Sequence, residues 1–220
     1  MDLRVLSVNV AQPHAIGQIN GETVLSGIAK RPLVAKSVFV AATNIAGDGQ
    51  ADLSVHGGID KAVYAYPSDH WPWWQDEKAI VCRPATFGEN LTLEGADETD
   101  VAIGDRFRWG EAILEVSQPR APCFKLAIHT ARPDAPQLMT LSGRCGWYFR
   151  VVQEGIAPAR EGTLERVHES GGPSVRDTFL ALFDPHVGTN RLRRVEAAEG
   201  LAESWKTPVS KRLARVLDSP

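Results

Sequence analysis

From Leu3 to about Val167 apolar and polar residues alternate in short runs, each closed by Gly, Pro, Asn or Asp. A period of two over such a run is the pattern of a half-buried strand. Leu3 to Val10 predicts the first strand, and Asn20-Gly21 predicts a hairpin turn before Thr23-Val24-Leu25. Lys36 to Ala42, Ala62 to Tyr66, Phe107 to Val116 with a tip at Trp109-Gly110, and Trp147 to Val152 predict further strands. Between them, Ser68 to Ala79 predicts a helix capped by Ser68, with Pro72 in its first turn or at a kink. Its crowded Trp71, Trp73 and Trp74 point to an aromatic core or a partner surface. Many short strands at close spacing predict a barrel or a sandwich, not an alternating βα sheet.

The period changes after Gly171-Gly172-Pro173. Ser174 followed by Asp177 resembles a capping box, with Val175, Phe179, Leu182 and Phe183 on one helical face. A second helix is predicted from Asn190 to Ala198, and Leu201, Trp205, Val209, Leu213 and Leu217 then recur every four residues. That stripe crosses Pro208, so either one helix kinks there or two helices share a face. The chain therefore divides into a β-rich domain over 1–169 and a small helical domain over 173–217.

Composition narrows the function. With 43% hydrophobic and 23% charged residues in 220, the chain has enough apolar side chains for one well-buried core. A net charge of -3 argues against a nucleic-acid clamp and leaves small molecules as the expected ligands. The basic residues of the last quarter form a solvated face or dock an acidic partner. The N-terminus reads straight into a strand without a signal peptide, and no apolar run is long enough to span a bilayer, so a cytoplasmic protein is expected. Cys82, Cys123 and Cys145 are too few and too scattered for a disulfide scaffold and are expected to be free thiols.

Of these, Cys123 has the most suggestive surroundings. It follows the strand Ala112 to Val116 and the double proline of Pro119-Arg120-Ala121-Pro122, and it opens a predicted short helix to Ile128. A thiol at such a corner, with Arg120 and Lys125 near in sequence, is in a setting that favours the thiolate. The residues alone leave a buried structural thiol, a nucleophile, a redox group and a soft metal ligand all open.

Three other blocks combine polar residues with glycine. In Gly47-Asp48-Gly49 through His56-Gly57-Gly58-Ile59-Asp60-Lys61, paired glycines can curl N–H groups into an anion nest and Lys61 can add charge, although a tight turn with a satisfied histidine explains them as well. Phe87-Gly88-Glu89-Asn90 is a turn entering a strand, and Gly143-Arg144-Cys145-Gly146 sets an arginine in a glycine-flanked loop. No serine-hydrolase elbow, zinc-protease motif, phosphate loop or dinucleotide fingerprint is present. A cysteine hydrolase pairing Cys123 with His56 or His129 stays open.

Taken together and in order, His56-Gly57-Gly58-Ile59-Asp60-Lys61-Ala62-Val63, Phe87-Gly88-Glu89-Asn90-Leu91, Ile103-Gly104-Asp105, Arg120-Ala121-Pro122-Cys123-Phe124-Lys125-Leu126 and Gly146-Trp147-Tyr148 resemble a MOSC domain. The tail resembles the three-helix extension of the bacterial subgroup linked to hydroxylaminopurine resistance, so the likeness covers nearly the whole chain. One departure is Pro84-Ala85, where the family pattern has Pro-Gly.

The resemblance implies a mainly β fold, a mostly antiparallel barrel with a few short helices, carrying a molybdenum-pterin cofactor (molybdopterin) with Cys123 as the thiolate ligand of the metal. Lys30, Lys61, Arg120, Arg144 and the Gly57-Gly58 turn then have a phosphate as target, while His56, Asp52 and Asn90 face the pterin edge or the oxygen that leaves the substrate. The implied function is reduction of N-hydroxylated bases from N–OH to N–H, with Cys123 and His56 as catalytic residues and a flavoprotein reductase as electron donor. A cofactor carrier without turnover is the alternative, and neither reading fixes whether the chain works alone or as a homodimer.

Overall fold

The structure, a computed structural model, describes residues 1–52 and 57–218. Among them, seven strands close into a barrel: β1 Asp2–Val10, β2 Val63–Pro67, β3 Leu91–Glu94, β4 Arg106–Trp109, β5 Ala112–Pro119, β6 Trp147–Gln153 and β7 Gly162–His168. Around the barrel the order is β1, β7, β4, β5, β6, β2, β3 and back to β1. Because β1 pairs with both β3 and β7, the sheet has no free edge, which decides for a barrel over a sandwich. Every barrel pair is antiparallel except β2–β3, where Ala65 faces Leu91 in parallel register.

The alternation read from the sequence is the alternation of burial. Phe107 and Trp109 of β4, Leu3 and Val5 of β1 and Leu164 of β7 are buried while their chain neighbours face solvent. Each such side chain withdrawn from water stabilises the fold by about 1.5–3 kcal/mol. Strand β5 breaks the alternation, being buried along almost its whole length, because the C-terminal helices cover its outer face. Outside the barrel, His14–Ile19 and Glu22–Ser26 form the predicted hairpin, with Asn20 at φ 51° and Gly21 at φ 83° supplying the two left-handed residues its turn needs.

Five α-helices follow: α1 Phe124–Thr130, α2 Ala135–Ser142, α3 Val175–Phe183, α4 Thr189–Glu196 and α5 Glu203–Leu217. The cap at α3 is formed, Ser174 Oγ accepting from the Asp177 N–H at 3.0 Å, while the Asp177 carboxylate pairs with Arg191 at 3.0 Å. Pro208 lies inside α5, so the stripe is carried by one helix. Helix α2 has no counterpart in the sequence reading. The predicted helix over 68–79 forms over 68–77 as irregular turns, a 3₁₀ turn at Ser68–His70 running into a π turn at Trp73–Glu77. Ser68 does not cap it; its hydroxyl donates to the Leu93 carbonyl of β3 at 2.9 Å, and Trp74 packs on Phe87 in the core.

The helical segment is tied to the barrel through backbone bonds. Ile103 N–H donates to Pro173 O at 2.9 Å, Val175 N–H to Val101 O at 2.8 Å and Ala202 N–H to Ser117 O at 2.9 Å. Gly200 passes so close to Gly104 that a Cβ there would lie 2.7 Å from the Gly104 Cα. No helix among the described residues is long and apolar enough to cross a membrane.

Candidate functional site

The corner after β5 opens on a cavity of about 290 Å³. Its wall is assembled from separate stretches of the chain. Arg120 and Cys123 come from the double-proline corner, Lys30 and Asp48 from the loops after the hairpin, and Lys61 from the turn before β2. Tyr64, Asn90 and Tyr148 come from the barrel strands or their ends, and Ser204 and Trp205 from the first turn of α5.

Pro119 and Pro122 stop the ladder of β5, so the chain leaves the sheet and Cys123 takes an extended conformation (φ −130°, ψ 167°) just before α1. Its thiol is half-buried, whereas Cys82 and Cys145 are buried. Burial pushes the Cys82 thiol up to about 12 and raises that of Cys145 well above its ordinary value, so neither presents a thiolate at neutral pH. All three are free.

Next to Cys123 in the wall, Arg120 is buried with its guanidinium 5.0 Å from the Tyr64 ring and Nη1 3.2 Å from Met139 Sδ. Burial alone would lower its pKa, but the oxygens of Tyr64 and Tyr148 and the sulfurs of Cys123 and Cys145 outweigh this, and it stays charged. The two phenols are raised chiefly by burial and remain protonated, Tyr64 donating to Cys145 O at 2.8 Å.

The same cavity wall holds a buried ion pair. Lys30 donates to Asp48 Oδ1, and the side chains of the two are 7% and 0% exposed. Asp48 also accepts from the Ala11 N–H at 2.9 Å and from Asn90 Nδ2 at 3.0 Å. Asn90 is itself locked, its Oδ1 accepting from the Tyr64 N–H at 3.1 Å and its Nδ2 reaching Asn9 O at 3.2 Å. Burial lowers the Lys30 ammonium below the ordinary lysine range, and Asp48 opposes that shift. Below this network Glu89 is fully buried, accepting from the N–H groups of Ala85 at 2.8 Å and Phe87 at 3.0 Å and from Thr92 Oγ1 at 2.8 Å. Desolvation pushes its carboxyl up to about 7 in spite of those three donors.

Lys61 is placed by its neighbour. The Asp60 carbonyl accepts from Ser117 Oγ at 2.6 Å and its carboxylate from Arg150 Nε at 2.8 Å, which pins the turn to β5 and β6. Burial lowers Lys61, with Asp60 acting against it.

A barrel closed this way, with one thiol and several cations turned into the same cavity, can be compared with known proteins. A family model described as the MOSC domain matches residues 52–163. The chain belongs to the MOSC domain family. It is 39% identical to the uncharacterized protein YflK of Bacillus subtilis over 97% of this chain and 96% of that one. The solved structure of YiiM from Geobacillus stearothermophilus superposes with a TM-score of 0.80 at 32% identity, covering 96% of this chain and 99% of the other. A longer protein named Reductase, from Gibberella moniliformis, is 39% identical over 122 residues, 54% of this chain and 22% of its own length.

Of the residues singled out from this MOSC sequence, Cys123, Lys30, Gly57, Lys61, Asn90 and Arg120 meet in the cavity wall. His56 lies outside the described residues. Asp52 does not line the cavity, and the carboxylate that does is Asp48, four residues earlier between Gly47 and Gly49. Gly57 and Gly58 both have positive φ, 79° and 86°, so the pair lacks the alternating hand of an anion nest, and charge comes from lysines and arginine instead. Arg144 points elsewhere, its guanidinium 4.5 Å over the Trp73 ring, because Tyr66 Oη and Glu98 Oε1 hold its loop at Arg144 O and Gly146 N. His129 sits 3.4 Å from Ala85 O and is not part of the wall.

The sequence reading passed over Asp48, Tyr64, Tyr148, Gln118, Ser204 and Trp205. A carboxylate between two glycines was a signal for the first. The tyrosines lay inside quoted runs but looked like ordinary strand residues, and nothing local marks Ser204 or Trp205, which follow Cys123 by some eighty residues.

Proposed function

We propose that this cavity holds the molybdenum cofactor and that the protein reduces N-hydroxylated bases of the hydroxylaminopurine type. The observation that carries the reading is the meeting of the half-buried Cys123 thiol with Lys30, Lys61, Lys125 and Arg120 in one wall. Membership of the MOSC family supports a role connected with the molybdenum cofactor. Among the described residues no cluster of three or more His, Cys, Asp or Glu side chains could hold a bare metal ion. A single protein thiolate therefore suits a metal that arrives with an organic ligand carrying most of its donors.

The residues divide the work. Cys123 would hold the metal, and the lysines and Arg120 would neutralise the pterin phosphate by charge-assisted hydrogen bonds. The overall change is R–NHOH + 2 e⁻ + 2 H⁺ → R–NH₂ + H₂O. When bound, the cofactor supplies the two-electron couple for that change. Tyr148, kept a neutral phenol by burial, offers an O–H inside the cavity, and His56 remains the proposed proton donor. The electrons come from a separate flavoprotein reductase, since the chain has no flavin or nicotinamide motif. The match to part of a longer protein named Reductase fits a redox use of the domain.

The test is to produce the protein in a host that makes the cofactor and to measure molybdenum per chain and hydroxylaminopurine reduction with a reduced donor. Wild type is expected to be loaded and active, and Cys123→Ser to lose most of both. A loaded wild type that never turns over would leave a carrier. Full metal and activity in Cys123→Ser would remove Cys123 from the mechanism.

A further inference from the structure

The first turn of the last helix, α5, is part of the cavity. Helix α5 begins where Ala202 N–H donates to Ser117 O at 2.9 Å, which registers its first turn beside Gln118 on β5. Ser204 and Trp205 line the cavity from that turn, while their charged neighbours Glu203 and Lys206 do not. Trp205 is buried, its ring centroid 6.3 Å from that of Phe179 and 6.2 Å from that of Phe183, so the indole is held as a fixed apolar surface.

Gln118 is the polar group opposite this turn, and it is only 2% exposed. Ser204 Oγ donates to its Oε1 at 2.9 Å, which turns the amide nitrogen away from the helix. That nitrogen has one protein acceptor among the described residues, the Pro119 carbonyl at 3.5 Å, at the outer limit of a hydrogen bond. A carboxamide has two N–H bonds to place, so a buried donor is left over at the cavity wall. A leftover donor that lines a cavity is the mark of a group meant to be satisfied by a ligand.

We propose that Gln118, oriented by Ser204 and flanked by Trp205, is the specificity wall of the site. It reads a ring-nitrogen acceptor on a planar heteroaromatic substrate, while the cations of the cavity wall serve the cofactor. The inference rests on the reductase reading and sharpens it: the substrate class becomes N-hydroxylated amino-heteroarenes that carry a ring nitrogen lone pair. An N-hydroxylated ring without that acceptor leaves the Gln118 donor buried and unpaired, the situation that makes polar sites reject analogues strongly.

The experiment compares 6-N-hydroxylaminopurine with N-phenylhydroxylamine, which has the same N–OH on a ring lacking nitrogen, using loaded wild type, Gln118→Leu and Ser204→Ala. Wild type is expected to favour the purine by about tenfold or more in kcat/KM, and Gln118→Leu to collapse that preference to about one, through KM for the purine. Ser204→Ala, at an exposed position that threatens no packing, should reduce the preference by about threefold. Molybdenum content separates substrate from cofactor contacts and should be the same in all three proteins.

Binding of adenine by calorimetry, which needs no turnover, is measured alongside. Adenine binding that weakens about tenfold in Gln118→Leu upholds the wall even where neither hydroxylamine is reduced, and the reductase reading then falls alone. Equal losses on both substrates, molybdenum lost with Gln118, or a preference and an adenine affinity changed less than about twofold in both variants would each overturn the proposal.

Discussion

The two walls of the cavity are built on opposite terms. Around Asp48 the polar groups of the barrel side are tied to one another: Asp48 to Lys30, Asn90 and the Ala11 N–H, and Asn90 in turn to Tyr64 and Asn9. On the helical side the polar contact is one hydrogen bond between the exposed Ser204 and a Gln118 amide with an N–H to spare. The barrel wall is thus preorganised and doubles as structure, because its groups cannot be removed without stranding a buried partner. The helical wall is held by apolar packing, Trp205 against Phe179 and Phe183, and its one polar contact can be altered to change what binds. A site that keeps its cofactor while changing its substrates would be divided in this way.

Removing Asp48 tests the barrel side hardest. Asp48→Ala leaves the Lys30 ammonium buried without its counter-ion, and breaking a buried pair costs about 3–5 kcal/mol. Urea unfolding should show that loss, and Lys30→Met added to Asp48→Ala should restore part of it. A loss below about 1 kcal/mol would mean the wall is not structural and would dissolve the contrast.

The next effect is a pH dependence. Glu89 has its carboxyl pushed up from 4.5 to about 7 by burial, so the folded chain holds this proton more tightly than the unfolded one. A raised folded-state pKa contributes stability that is complete below the unfolded value and is lost as pH rises through the folded value. The denaturation midpoint of wild type should therefore fall between about pH 4.5 and pH 7, by up to about 3 kcal/mol in stability. Glu89→Gln should flatten that slope. A wild-type profile already flat over this window would show that the three donors to Glu89, not desolvation, set its ionisation.

How much of this was legible follows from how local each cause is. Alternation along β1 and β4, the Asn20-Gly21 hairpin and the Ser174 cap are decided within a few residues, and the sequence read without structure places them correctly, whereas β7 was not singled out. The helix over 68–79 came out as irregular turns over 68–77, and its predicted cap failed because Ser68 found a partner in Leu93, twenty-five positions away. At the cavity, the corner after β5 was visible because prolines stop a ladder wherever they stand. Arg144 looked like a cavity cation until its loop was tied by Glu98 and Tyr66, and Trp205 looked like one more rung of a stripe. Long-range contact is what assigns a polar residue to a site, and spacing along the chain carries little of it.

The smallest predicted effect concerns the one place where the barrel wall is strained in a way the sequence did announce. Ala85 stands where the sequence resemblance led one to expect glycine, and its φ is 68°, in the left-handed region that a Cβ disfavours by about 1–2 kcal/mol. The strain is held by the Ala85 N–H bond to buried Glu89 at 2.8 Å, so the turn cannot relax without stranding that carboxyl. Ala85→Gly removes the Cβ penalty but makes the unfolded chain freer, which takes back about 0.4–1 kcal/mol. The balance should be a stabilisation of about 0.5 kcal/mol, read as a higher urea midpoint with an unchanged slope. A destabilised Ala85→Gly would mean the methyl of buried Ala85 packs well enough to outweigh its own backbone. The barrel wall would then be fitted to this sequence, and its strain would not be a departure merely tolerated from the family pattern.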